Sequence, residues 1–310
     1  MTTTMHGGDA ILAWRQLLRL GNVFTAASNV IAGFLIVHGG WRPGSVLAAL
    51  IAASALLYAA GMVLNDAFDA ESDSRERPER PIPSGRVRRS TAFAAGWGLL
   101  ALGLGHSAGA AWLATNAAPL VVAACLALMI VLYDSGLKTT WAGPWAMGWC
   151  RTLNVLLGGC LASGVEAWLS LATYAAAVGV YTAGLTMIAS REAGQPPPRR
   201  GRWGKEVLAV ACALLFAWPW TLVGDPSRGA GPVAATIGLS AFAAYVAVQA
   251  LRAMRAREPH EIRAAITRLL VGFILMDACA ATAAAGWLSG FAVVLLLAPT
   301  LLGARKAPMT

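Results

Sequence analysis

Apolar runs about as long as a bilayer is thick, separated by short polar breaks, recur from end to end of this 310-residue chain. A helix rising about 1.5 Å per residue needs roughly 20 residues to cross the hydrocarbon layer. On that scale the pattern predicts spans at Leu17–Val37, Ser45–Leu64, Thr91–Ala111, Ala117–Tyr133, Ala146–Ser163, Leu169–Ala189, Glu206–Val223, Val233–Leu251 and Ala264–Ala285. A last run, Trp287–Gly303, is shorter and leaves nine or ten spans open. The expected fold is all-α, a polytopic transmembrane helical bundle.

The polar breaks alternate in character. Gly39–Gly44, Trp112–Asn116, Gly164–Trp168 and Gly224–Pro232 carry little charge, whereas Asp66–Ser90, Asp134–Pro144, Ser190–Lys205 and Arg252–Arg263 hold most of the arginine and lysine. Cytoplasmic loops gather these residues, so the second set, and an N-terminus preceding Arg15 and Arg19, are expected in the cytoplasm. The expected setting is the inner membrane of a bacterium. Arg305 and Lys306 favour a C-terminus on the same side, which requires an even number of crossings. The first ten residues lack the basic stretch and short apolar core of a cleavable signal. Charged loops follow every second span, which suggests two four-helix halves, residues 1–133 and 134–310, inside one integral-membrane domain over 1–310.

Composition strengthens this picture. Hydrophobic residues make up 57% of the chain and charged residues 13%, against roughly 25% charged in soluble domains. The net charge of +9 sits between apolar runs, where topology accounts for it, and no nucleic-acid partner is expected. The five cysteines lie in or beside apolar runs without metal-ligand spacing.

The second span ends in Asn65-Asp66-Ala67-Phe68-Asp69-Ala70-Glu71-Ser72-Asp73. On a continuing helix, Asp66, Asp69 and Asp73 share one face about a turn apart. Carboxylates so placed repel one another unless a cation lies between them, and they oppose the dipole at a helix C-terminus. Carboxylates at a membrane edge are read first as functional. All-oxygen donors suit a hard ion such as Mg²⁺, with Asn65 adding a neutral oxygen. Arg75, Arg77 and Arg80 follow at once, and guanidinium forks beside a metal form an anion cradle. Arg151 and Asn154 fall within an apolar span, where polar groups usually face an interior cavity.

These segments resemble the UbiA prenyltransferase superfamily. Asn65 to Asp73 matches its NDxxDxxxD motif, and Arg80-Pro81-Ile82-Pro83-Ser84-Gly85 is similar to the segment that follows it. Arg19-Leu20-Gly21-Asn22 and Asn29-Val30-Ile31-Ala32-Gly33 resemble its first helix, and Leu132-Tyr133-Asp134-Ser135-Gly136-Leu137-Lys138 its LYSxxLK segment, followed by Asn154. The resemblance implies an Asp-lined cavity entered from the lipid, in which Asn65, Asp66, Asp69 and Asp73 hold Mg²⁺. It places Lys138 on the diphosphate with Tyr133 beside it, and Asn29, Arg77, Arg80, Arg151 and Asn154 among the substrate-binding groups.

One departure is plain. Where the superfamily carries a second Asp-rich motif, this chain reads Ala189-Ser190-Arg191-Glu192-Ala193-Gly194-Gln195-Pro196, with only Glu192 acidic and left as a candidate metal ligand there. The second metal site is lost or remade. Arg191, Arg199 and Arg200 are available to neutralise phosphate, or serve only as topology signals. In this the chain resembles a divergent UbiA-like subgroup of the kind encoded in bacterial ebo-type operons.

The implied reaction moves an isoprenyl group from an allylic diphosphate to a lipophilic acceptor, aromatic or otherwise. Two alternatives stay open: a phosphate-centred transferase acting on polyprenyl lipids, and a non-catalytic isoprenoid-binding or transport-associated protein. Membrane lipids surround all three.

Overall fold

The apolar pattern folds as its period requires: every regular element among the described residues is helical. The computed structural model describes residues 7–190, 203–223, 225, 228–256 and 258–306. Helix α1 (Gly7–Leu18) leads into α2 (Leu20–His38), α3 (Gly44–Phe68), α4 (Ala70–Glu76), α5 (Arg89–Ala114) and α6 (Ala118–Ser135). The second part of the chain forms α7 (Gly143–Gly158), α8 (Val165–Ala189), α9 (Gly204–Ala217), α10 (Gly231–Arg255), α11 (Pro259–Ala285), α12 (Trp287–Val294) and α13 (Leu297–Lys306). The nine expected spans correspond to α2, α3 and α5 through α11. Seven helices are long and apolar enough to cross a membrane by themselves. Two of the nine lie outside that set: α5, diluted by glycines and His106, and α7, only 16 residues long.

The ends differ from the expectation. The first span begins later, at Leu20, and a separate helix precedes it. Ala13 and Leu17 of α1 are fully buried in a small core with Val63, Ala67, Ile82, Val87 and Ala92. The join is Arg19, in the left-handed region at φ 42°, a conformation that non-glycine residues seldom adopt. At the other end the last, short apolar run folds as two helices, α12 and α13. Pro299 has no N–H for the Leu295 carbonyl, and its ring crowds that residue, so helical pairing lapses at Leu295 and Leu296. An added Cβ on Gly303 would lie 2.7 Å from the Gly21 Cα, so α13 ends beside the start of α2.

Without water to expel between helices in lipid, close backbone approach holds the bundle together, and small residues permit it. Glycines mark the crossings that matter for the interior. A Cβ on Gly33 would strike the Val155 carbonyl and one on Gly158 the Val30 carbonyl, so α2 and α7 touch backbone to backbone. On α7 and α8, a Cβ on Gly148 would lie 2.6 Å from the Gly179 carbonyl oxygen. On α5, Gly96 and Gly103 make room for Leu64 and Leu57 of α3. One continuous apolar core runs through residues of α2, α3, α5 to α8, α9 to α11 and α12. Large exposed side chains such as Trp112, Leu128, Val165, Ile237 and Phe291 cover the perimeter, as expected of a lipid-facing surface.

Candidate active site

The Asp-rich segment does not form one straight helix. Helix α3 ends at Phe68, Asp69 keeps helical φ/ψ, and α4 begins at Ala70, with the Asp73 N–H bonded to the Asp69 carbonyl at 2.8 Å. The helical path thus continues, and the three carboxylates stay together at one end of the bundle. Asp66 and Asp73 are 5% and 6% exposed.

A basic side chain meets each carboxylate. Arg19 Nη2 donates to Asp66 Oδ1 at 3.1 Å. Arg80 Nη1 donates to Asp73 Oδ2 at 2.7 Å and lies 3.5 Å from Asp66 Oδ1. Lys138 Nζ lies 2.7 Å from Asp69 Oδ1. Lys138 gets there from a 3₁₀ turn at Leu137–Thr139, after Gly136 ends α6. Arg80 is carried by the loop after α4, where Arg77 closes the helix and its carbonyl accepts from the Arg80 N–H at 3.1 Å. Arg77 itself is half-buried and forms no ion pair among the described residues. Of the two arginines expected as ligands, Arg80 reaches the carboxylates.

Beside this cluster opens a cavity of about 310 Å³. Arg19, Asn65, Tyr133 and Asp134 line the end nearest the carboxylates; Asn22, Ser54, Arg151, Asn154 and Thr182 line its polar wall. Leu57, Leu126, Ile130, Met147, Leu270 and Phe273 make the rest largely apolar. Ser54 precedes Asn65 on α3 by a distance of about 16 Å along the axis, so the cavity runs well into the bundle. Ala189, at the end of α8, also faces it. The residue standing where an acid was expected offers no ligand. Arg191, Glu192, Arg199 and Arg200 lie outside the described residues.

The polar wall is braced from behind. Arg151 donates to Asn29 Oδ1 and to Thr25 Oγ1, both at 3.0 Å, and its guanidinium sits 4.5 Å over the Phe273 ring. Asn29, fully buried, does not touch the cavity; it passes a hydrogen bond of 2.8 Å on to Asp277 Oδ2. Ser28 and Tyr174 also donate to Asp277, each at 2.6 Å. Asn154 takes a hydrogen bond from Ser54 at 2.7 Å and gives one to the Ala26 carbonyl at 2.8 Å. The glycine crossing of α2 and α7 brings Arg151 within reach of Asn29. A buried carboxylate and guanidinium joined through an amide tie α2, α7, α8 and α11 together, and each supplies the other's compensating charge.

Arg19 and Asp277 did not emerge as site residues from the sequence. Arg19 resembles any arginine preceding a first span. Asp277 carried a usable signal, a lone acid deep in an apolar run.

The donor chemistry of Asp66, Asp69, Asp73 and Asn65 fits a hard divalent cation. As the side chains stand, no three acids, histidines or cysteines among the described residues converge closely enough to hold one. Arginine and lysine hold the carboxylates instead. Loading a cation would mean turning those basic groups aside, which leaves them free to meet an anion.

Fold and site together define a polytopic helical membrane protein with a charged, oxygen-rich cluster at the mouth of an apolar cavity. The chain matches the UbiA prenyltransferase family over residues 26–269 and belongs to it. Among curated proteins it is similar to a digeranylgeranylglyceryl phosphate synthase of Methanopyrus kandleri, 38% identical over 41% of this chain and 45% of that one. One from Saccharolobus solfataricus is 34% identical over 52% of this chain and 55% of that one. The chain thus spans about half the length of the curated relatives it matches. Solved structures share the fold. One, from work on digeranylgeranylglyceryl phosphate synthase in membranes, superposes with a TM-score of 0.59 at 20% identity, over 91% of this chain and 99% of that one. A UbiA homolog from Archaeoglobus fulgidus, bound to GPP and Mg²⁺, superposes with a TM-score of 0.57 at 13% identity, over 92% and 99%.

Proposed function

We propose that this chain is an intramembrane prenyltransferase, which moves an isoprenyl group from an allylic diphosphate to a lipophilic acceptor. The observation that carries the reading is the junction of two environments: three basic side chains and a carboxylate cluster at one end, and a long, mostly apolar cavity leading away from it. A diphosphate with a hydrocarbon tail has that same polarity.

Asp66, Asp69, Asp73 and Asn65 would hold Mg²⁺, which supplies neutralisation of the pyrophosphate charge. Arg19, Arg80 and Lys138 turn from the carboxylates to phosphate oxygens, and Tyr133 stands beside them. Preorganised positive groups where negative charge develops lower the barrier to departure of the leaving group. The allylic C–O bond breaks, its electron pair goes to pyrophosphate, the acceptor's electron pair forms the new bond to carbon, and the proton that the acceptor gives up leaves on the pyrophosphate. Leu126, Ile130, Leu270 and Phe273 keep water from the carbocation-like centre. The acceptor lies against the polar wall, held by Arg151 and Asn154.

Arg151 favours a second form of the reading, in which the acceptor is phosphate-bearing. The curated relatives support it, since their name places a glyceryl phosphate lipid as the product. The bias of arginine and lysine supports a cytoplasmic position for the Asp-bearing end, and a bacterial inner membrane fits the same bias.

The test is product analysis. Purified protein with Mg²⁺ and radiolabelled isoprenyl diphosphates is offered either a prenylated glyceryl phosphate or an aromatic acceptor. Label transferred to either acceptor supports the reading and selects its form. Diphosphate binding without transfer to any acceptor leaves the non-catalytic lipid-binding alternative standing in its place.

A further inference from the structure

We propose that Asp134 is an additional ligand of the divalent cation at the mouth of the cavity, a carboxylate supplied by α6 to a site otherwise built from α3 and α4. This rests on the reading of that mouth as a metal–diphosphate site.

Asp134 stands at the end of α6 on the cavity wall, and is 4% exposed. Its Oδ1 accepts a hydrogen bond of 3.0 Å from Asn65 Nδ2. Its Oδ2 is buried and has no partner. A carboxylate oxygen in such a place is expensive to leave unmatched, since no donor of the protein offsets its desolvation.

The charges of the cluster point the same way. Asp66, Asp69, Asp73 and Asp134 make four carboxylates, while Arg19, Arg80 and Lys138 make three cations. Every cation is engaged by one of the first three acids. Among the described residues Asp134 alone of the four has no ion pair; Lys138, four residues further along the chain, lies against Asp69 instead, and its buried Nζ makes no hydrogen bond to either acid. The cluster carries one negative charge more than its own side chains neutralise, and Asp134 holds a buried oxygen without a hydrogen bond.

A missing cation accounts for both facts. The neighbouring donors are oxygens, with no sulfur or imidazole, so the matching class is a hard divalent ion such as Mg²⁺ or Mn²⁺. The Asn65 amide then has a distinct task. By donating to Oδ1 it fixes the carboxylate and leaves Oδ2 as the free ligand, a positioning role common around metal sites. A purely structural Asp134 would be expected to use both oxygens.

The experiment measures Mn²⁺ binding to the full chain in detergent, with and without inorganic pyrophosphate, by the loss of the free-ion electron paramagnetic resonance signal. Asp134→Asn keeps the shape and the acceptor for Asn65, and Asp134→Ser removes the carboxylate altogether. Both should weaken Mn²⁺ binding by about tenfold or more. In a chelator both should melt no lower than the unaltered protein, because the substitution removes an uncompensated buried charge. A structural role predicts the reverse, a lower melting temperature with unchanged Mn²⁺ affinity. If Asp73→Asn weakens Mn²⁺ binding and neither Asp134 variant does, Asp134 is no ligand, though the metal–diphosphate site stands. If the unaltered protein binds no Mn²⁺ even with pyrophosphate, the proposal and the reading beneath it both fall.

Discussion

Arg80 is the keystone of the carboxylate cluster, and its removal has a worked consequence. Its guanidinium serves Asp73 at 2.7 Å and Asp66 at 3.5 Å, and all three side chains are largely buried, at 18%, 9% and 7% exposure. In Arg80→Ala, Asp66 keeps Arg19 at 3.1 Å, while Asp73 loses the one ion pair it has in the structure. Breaking a buried pair from one side destabilises by about 3–5 kcal/mol. The partial exposure of Arg80 and the surviving Arg19 contact place this case near the lower end, about 3 kcal/mol. Each kcal/mol shifts the melting temperature by roughly 2–4 °C in chains of 150–250 residues and by less in longer ones, so a fall of up to about 6 °C is expected in a chelating buffer for this 310-residue chain. Mg²⁺ should restore most of it. A ligand at one hundred times its dissociation constant contributes about 2.7 kcal/mol, and in the variant no guanidinium has to be displaced from Asp73 first. The assay is thermal melting of detergent-solubilised protein, with and without the metal. Equal melting temperatures of variant and parent in chelator would refute the pairing argument. Identical Mg²⁺ shifts in the two would refute the claim that Arg80 and the metal compete for the same oxygens.

Asp66→Ala and Asp73→Ala should each abolish Mg²⁺-dependent binding of an isoprenyl diphosphate without unfolding the protein; unchanged affinity in both, measured by calorimetry, contradicts the site. Gly158→Ala pushes a Cβ against the Val30 carbonyl and should cost about 1–3 kcal/mol or more through overpacking. Gly98→Ala, whose Cβ meets nothing within 4 Å, should leave the melting temperature unchanged or slightly raised. Cysteines introduced at Ser84 and Gly164 should react with a membrane-impermeant reagent from opposite sides; labelling from one side overturns the topology.

The extent to which the site could be read beforehand follows from the physics of each residue. Span positions were legible because lipid imposes a length and an apolar composition on every crossing helix, whatever it packs against. The Asp-rich face was legible because three acids at helical spacing beside a membrane have few other uses. The break in the last apolar run was half-legible: the run is short, and Pro299 lies where the pairing fails. Arg77 and Arg80 could not be told apart, since only the turn after α4 decides which guanidinium points inward. Asn29 was expected at the substrate; it follows Asn22 and Ala26 on the same face of α2 but falls beyond the cavity lining, bonded to Arg151, and the depth of the cavity is not written in the local sequence. Arg19 was hidden by its ordinariness, as its role depends on a left-handed backbone that no local pattern announces. Asp134 appeared in the sequence only as part of the LYSxxLK-like segment; its burial and free oxygen are visible only in three dimensions.

The central claim is that the charged end of the cavity holds a metal-bound diphosphate and the apolar part its tail. The most direct test is a structure of the protein with Mn²⁺ and a non-hydrolysable isoprenyl diphosphate, using anomalous scattering to place the metal. The account predicts Mn²⁺ on carboxylates of Asp66, Asp69 or Asp73, phosphate oxygens within hydrogen-bond reach of Arg19, Arg80 and Lys138, and the hydrocarbon between Leu126 and Phe273. A diphosphate bound at the opposite end of the bundle, or a cavity that stays empty while Arg80 remains on Asp73 and Lys138 on Asp69, would contradict it.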